Sequence, residues 1–218
     1  IEERDWSSDV CSSDLLNPKE GLFLMKNGLY IYPDRNISKE VRDKIIGYCL
    51  DESRVMSINS SKNLIPWSLR NDKIPGLIDY ESDEDSYEPY KDIDGKYNTN
   101  CIIKFCKENN INLQNDYPAT YYCTSYSTGF MDGEWYLPSM RELKLFYDNR
   151  EKFRRLCGLI GLETNMSSDN SGPYYFWSST RYSNSHSWYF DFFCLGTCFN
   201  IRSSYFYIVP FLKPTINL

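Results

Sequence analysis

Residues 174–211 carry 15 aromatic side chains in 38 positions. So dense a run of Tyr, Phe and Trp suits the pleated, half-buried surface of a sheet. Turn-forming clusters divide it into short strands, expected near 174–179, 187–193, 197–202 and 205–211. Strand side chains alternate between faces. Along 187–193, Trp188, Phe190 and Phe192 therefore share one side, and Ser187, Tyr189, Asp191 and Phe193 the other. The first set reads as core. The second mixes rings, an acid and a hydroxyl, as adaptable binding surfaces do, where aromatic rings supply contact area at low entropic cost. The competing reading is that the rings only fill the core of a small sheet. Exposure of the second face predicts that Trp188→Ala strongly destabilises the domain, by roughly 3–5 kcal/mol. It also predicts that Tyr189→Ala leaves the melting temperature nearly unchanged.

Upstream, the signals change type. Leu22 to Met25, Asn27-Gly28 and Leu29 to Tyr32 read as a hairpin, because Asn-Gly suits a tight two-residue turn. Val41 to Cys49 reads as a short helix running into a strand, and Arg54 to Ile58 as another strand. Asn98 or Thr99 is expected to cap a helix with Ile102, Ile103 and Phe105 on one face. Residues 119–126, rich in Tyr and Thr, are expected as a strand after the Tyr117-Pro118 break. Ser139 with Glu142 three residues on is a capping box, in which each side chain satisfies a free backbone N–H at the helix start. Leu143, Phe146 and Tyr147 should then point inward. A second helical stretch, Phe153 to Ile160, should stop at Gly161, and a change of character follows Gly172-Pro173. Two or three helices followed by short antiparallel strands make an α+β chain.

The chain begins at Ile1, and residues 5–15, Asp-Trp-Ser-Ser-Asp-Val-Cys-Ser-Ser-Asp-Leu, resemble the translation of a sequencing adapter. Residues 1–15 are therefore expected to stand outside the fold, as non-native sequence or a disordered tail, with residues 16–218 forming one domain. They hold much of the acidity: the net charge is −6 for the whole chain and −2 without them. Neither value suits a nucleic-acid-binding protein, which needs a basic face. No apolar run nears the roughly 18 residues of a membrane-spanning helix. Residues 79–94 hold eight acids and only Lys91 as a base. Their spacing fits no EF-hand calcium loop, and a solvated acidic loop is expected. The seven cysteines beyond Cys11 show no two-residue-spaced pair of the metal or redox type. Buried free thiols, and no metal or cofactor, are expected.

Gly133-Glu134-Trp135-Tyr136-Leu137-Pro138-Ser139, Glu142-Leu143, Trp177-Ser178-Ser179-Thr180 and Trp188-Tyr189 occur in one order along the chain. With Asp94-Gly95-Lys96, Asn98-Thr99 and Tyr117-Pro118-Ala119, they resemble a bacterial C-type-lectin-like domain family of unknown function, common in gut Bacteroidetes. That family is related in fold to the formylglycine-generating enzyme. The resemblance spans about residues 20–212 and implies that Trp135, Leu137, Ser139, Glu142, Trp177 and Trp188 are scaffold. It departs at Ile208-Val209-Pro210-Phe211, where an Arg usually precedes the final Pro.

The same fold and ending resemble the variable proteins of diversity-generating retroelements, in which template adenines are miscopied. Asn codons altered only at adenines cannot yield Lys, Glu, Gln, Met or Trp. Those five types occur once in residues 178–211, as Trp188, against 36 times elsewhere. Candidate diversified positions are Ser183, Ser185, His186, Asp191, Phe193, Cys194, Thr197, Cys198, Phe199, Ser203, Ser204 and Phe206, with Tyr189 beside them. The resemblance thus implies a non-enzymatic protein that displays residues 181–207 to a protein or glycan ligand. Its place would be a bacterial surface, the extracellular space or a phage particle. The alternative is a fixed surface-associated adhesin or structural module of the same fold.

Enzyme chemistry has few places to reside. A Ser-His-Asp or Cys-His mechanism must use His186, the one imidazole, which sits in a Ser-Asn-Ser-His-Ser loop. A formylglycine-generating-like oxidase would need a positioned cysteine pair. Cys194 and Cys198 would stand about 13 Å apart on an extended strand, and only a tight turn at Leu195-Gly196 would bring them together.

Overall fold

A computed structural model describes residues 19–166, 174–194 and 196–214. The expectations for residues 1–15, Gly172-Pro173 and Leu195 lie outside the described residues. The elements, in order, begin with β1 (Phe23–Met25), β2 (Tyr30–Ile31), α1 (Lys39–Arg42), β3 (Ile45–Cys49), β4 (Val55–Ser57) and β5 (Ile65–Pro66). Then come α2 (Gly95–Glu108), α3 (Leu113–Asp116), α4 (Pro118–Thr124) and α5 (Met140–Ile160). The chain closes with β6 (Tyr175–Arg181), β7 (His186–Asp191), β8 (Gly196–Ile201), β9 (Tyr205–Phe206) and β10 (Phe211–Leu212). The fold is α+β, and every pairing of these strands is antiparallel. Two long helices are joined by three short ones of four to seven residues.

One sheet runs β10-β4-β3-β1-β2, a second pairs β5 with β9, and a third runs β6-β7-β8. The Asn27-Gly28 hairpin forms as its turn chemistry dictates, with Phe23 opposite Ile31. The main core lies where α5 crosses two sheets. Phe146 and Phe153 meet Tyr48 from the first sheet and Phe176 from the third, while Trp188 and Phe190 are completely buried beside them. A second cluster, with Trp67, Ile102, Cys123, Leu137 and Trp177, sits under α2 and α4.

Four expectations are corrected. The helix expected to be capped by Asn98 or Thr99 starts earlier: the Asp94 carboxylate accepts from the Tyr97 N–H, and Asn98 and Thr99 are buried inside the first turns. Residues 118–124 are helical where a strand was expected. Pro118 sits in the first turn without losing a hydrogen bond, and Ala119, Thr120 and Cys123 recur on one buried face. The two helical stretches after Ser139 are one 21-residue helix, closed by Gly161 in the left-handed conformation (φ 64°). The acidic segment 79–94 is not solvated throughout. Glu88–Lys91 forms a 3₁₀ turn, and Asp92 is buried, which raises its carboxyl pKa despite hydrogen bonds from Thr180 and Asn98.

Candidate functional site

The Trp-Tyr-Leu-Pro-Ser, Asp-Gly-Lys and Trp-Ser-Ser-Thr motifs of the family resemblance meet at one junction. The Glu142 carboxylate is buried and accepts from the backbone N–H groups of Ser139 (2.9 Å) and Gly95 (3.1 Å), from the Tyr136 hydroxyl (2.8 Å) and from Arg54 Nε (3.3 Å). Burial raises its pKa, and these donors hold it back. Gly95 is required by close approach, since a Cβ there would stand 2.5–2.6 Å from Leu137 O, Glu142 Oε2 and Ser139 N. Thr99 and Thr180 hydroxyls take the N–H groups of Leu137 and Met140. In the Trp-Ser-Ser-Thr run the β6–β7 register shifts between Trp177 and Arg181. The side chains there replace lost ladder bonds: Ser178 Oγ donates to Trp188 O at 2.7 Å, and Trp67 Nε1 donates to Ser178 O. Trp135, Leu137, Ser139, Glu142, Trp177 and Trp188 are all buried. This junction is sealed framework.

The candidate binding residues do not form one face. They divide among the two ends of the β6-β7-β8 sheet and its flank, because the registers put His186 opposite Ile201 and Asp191 opposite Gly196. Strands of that length separate the two ends by about 17 Å. The expected exposed face of β7 is also corrected. Ser187 and Asp191 are buried, and Tyr189 is half-buried with its ring 4.3 Å from Phe206 and 6.0 Å from Trp177. Only Phe193 of that set is well exposed, at 72%. Both faces of the sheet are covered: α5 lies on one, while β9 and the second cluster lie on the other.

At the far end, Phe193 and Cys194 form the β7–β8 turn. Asp191 Oδ1 holds that turn by accepting from the N–H groups of both residues. Asp191 is thus a turn-holding residue, and Thr197 is wholly buried beside it. Cys198 pairs with Tyr189 across the strands. Contact with Asp191 raises the Cys194 thiol pKa, and burial raises that of Cys198. Neither environment favours the thiolate that nucleophilic or redox chemistry needs.

The near end gathers Ser183, Ser185, His186, Phe199, Ser203 and Ser204. Two buried arginines weld its loops. Arg202 Nη2 donates to Ser183 O (2.6 Å), its backbone N–H donates to Ser185 O (3.0 Å), and its guanidinium lies 4.5 Å over the Trp67 ring. Arg181 pairs with Asp79 (2.8 Å) and holds the Asn184 side chain (2.7 Å). Burial, then repulsion from Arg181, pulls the Arg202 pKa down to about 9. Tyr182 and Phe199 stack at 4.0 Å, with the His186 ring edge-on to both, and Ser185 Oγ sits 2.9 Å from His186 Nδ1. Ser204 Oγ donates to Asn200 Oδ1. Asn184 and Ser203 are exposed, as are Ile201 (48%) and the adjoining Tyr205 (58%). Among the described residues no carboxylate bonds to the His186 ring, so the Ser–His contact lacks the third group that would orient a base. The arrangement is a rigid, mixed surface of hydroxyls, amide and rings.

Arg181 and Arg202 escaped the sequence reading. Their one signal is a charge placed in or next to aromatic strands that have no acid in phase to pair it.

The chain matches no protein-family model and no curated protein. Among solved structures it is similar to a fimbrial protein from Bacteroides ovatus ATCC 8483, with a TM-score of 0.59 and 13% identity. The match covers 90% of this chain and 49% of the fimbrial protein, so the chain spans about half of that protein's length. At this identity the likeness concerns the fold. Among the described residues no helix is long and apolar enough to cross a membrane.

Proposed function

We propose that this protein is a non-enzymatic, surface-presented binding module. It uses the near end of the β6-β7-β8 sheet, residues 182–186 and 199–205, to contact a protein or glycan. The observation that carries this reading is the contrast between those loops and their support. Small hydroxyls and rings stand at the surface, while Arg181, Arg202 and Trp67 beneath them are almost wholly buried. Rigid support under adaptable side chains lowers the entropic cost of binding. The scarcity of Lys, Glu, Gln, Met and Trp in residues 178–211 supports diversification of these loops on a lectin-like scaffold.

A second reading, a fixed adhesin or structural module, is favoured by the likeness to a fimbrial protein. That likeness also supports display at a bacterial surface, ahead of the extracellular space or a phage particle. Sequencing this locus across one natural population separates the readings. Diversification predicts substitutions crowded at codons 183–186 and 203–205, with Arg181, Trp188 and Arg202 constant. Uniform variation across residues 20–205 leaves the fixed module.

A further inference from the structure

A groove of about 590 Å³ opens beside Ile65 of β5, between the segment after β4 and the end of α4. That volume is in the range of small-ligand sites, about 300–1,000 Å³. None of the candidate loop residues lines it.

Its wall is built before any ligand arrives. Asn165 Oδ1 accepts from the Ser60 N–H (3.0 Å), and its amide nitrogen donates to Ser60 O (3.2 Å) and Oγ (3.1 Å). Asn59 Oδ1 accepts from the Asn165 N–H. Ser61 is tied in both directions to Ile208. Two rings form the floor: Tyr122 and Tyr126 lie 6.1 Å apart at 46°, and Tyr126 packs edge-on to the buried Trp135. These bonds use up the wall's internal polar groups. The Asn59 amide nitrogen, the Asn63 amide, the Lys62 ammonium and the Tyr122 hydroxyl have no hydrogen-bonding partner among the described residues, and all four belong to residues lining the groove.

This donor set selects a ligand class. An amide presents a donor and an acceptor side by side, which matches a hydroxyl that is both. An aromatic face offers negative charge density to C–H bonds. Among the described residues Lys62 is the one cation lining the groove, with no second base beside it to hold a phosphate. We infer that the groove binds a neutral oligosaccharide, one ring packing on Tyr122 and Tyr126 while Asn59, Lys62 and Asn63 hydrogen-bond its hydroxyls. This site stands independently of the loop surface proposed above.

The test is binding of the full chain to an array of neutral hexasaccharides of the malto, cello, xylo and manno series. The wild type should bind at least one of them. The double change Lys62→Ala with Asn63→Ala should weaken that binding tenfold or more, and Tyr122→Phe by a few-fold. Both residues of the double change are exposed, so the melting temperature should not move. Ser203→Ala and Tyr205→Ala should leave array binding intact. Absence of binding to every sugar overturns the inference, as does binding that the groove changes do not affect. Loss on Ser203→Ala or Tyr205→Ala alone would move the sugar to the loop surface, refuting the groove while sparing the loop proposal.

Discussion

Glu142 and Arg202 are both buried charges, and they are held in opposite ways. Glu142 has four donors, one of them the cationic Arg54. Arg202 has two backbone carbonyls, those of Asp72 and Ser183, and the face of Trp67. The carboxylate joins regular elements: the starts of α2 and α5, with β6 alongside. The guanidinium joins loops. Among the described residues no carboxylate forms an ion pair with Arg202, so its value lies in satisfying carbonyls that irregular backbone leaves unpaired. Framework and proposed binding surface thus rest on different chemistry.

That contrast can be tested at five points. Trp188→Ala removes the ring on which both regions depend and should cost roughly 3–5 kcal/mol in urea unfolding. Tyr189→Ala should cost about half as much, because its ring is half-buried between Trp177 and Phe206. Equal melting temperatures for Tyr189→Ala and the wild type would restore the free face that the sequence suggested. Gly95→Ala comes next. In an exposed helix this change gains up to about 1 kcal/mol; here the sign should reverse, with a loss of about 1–3 kcal/mol, since backbone and carboxylate already occupy the Cβ position. A stabilised Gly95→Ala variant would mean that the junction yields.

Arg202→Ala should cost about 2 kcal/mol, as buried carbonyls lose their donor. Hydrogen exchange should quicken at residues 182–186 and stay unchanged around Glu142. Acceleration at both places would merge the two regions into one unit. The smallest effect belongs to Asp94. Burial alone would raise its carboxyl pKa, but hydrogen bonds from Lys213 and the Tyr97 N–H outweigh that and hold it below the ordinary value. A lowered folded pKa stabilises the fold above the ordinary carboxylate range, and the contribution disappears as pH falls through the folded value. Asp94→Ala should therefore cost about 1 kcal/mol at neutral pH. The gap from wild type should shrink in acid; a gap constant down to pH 2 would rule out the charge as its source.

The framework was largely legible because its signals are local. The Ser139–Glu142 capping box lies within one helical turn, and Asn27-Gly28 imposes its own hairpin. Residues 119–126 misled because Tyr and Thr favour strands only where a sheet receives them. Here α2 and Trp67 offer a helix-shaped surface, and Pro118 starts the helix. The division of the loop candidates was not legible. Alternation along β7 gives two faces correctly, but it carries no information about what covers each. Arg202 is further still from local reading: its partners Asp72 and Trp67 belong to a distant stretch of chain.

The first sheet is closed only by its last strand, with Phe211 opposite Met56. During synthesis, β4 must wait with an open edge until the chain has been made as far as residue 212. Such distant pairing slows folding and exposes apolar edges meanwhile. The segment bearing the candidate binding loops is enclosed between two partners that must find one another. A change in those loops that delays β10 would be felt first as poor yield from the cell, before any loss of affinity could be measured.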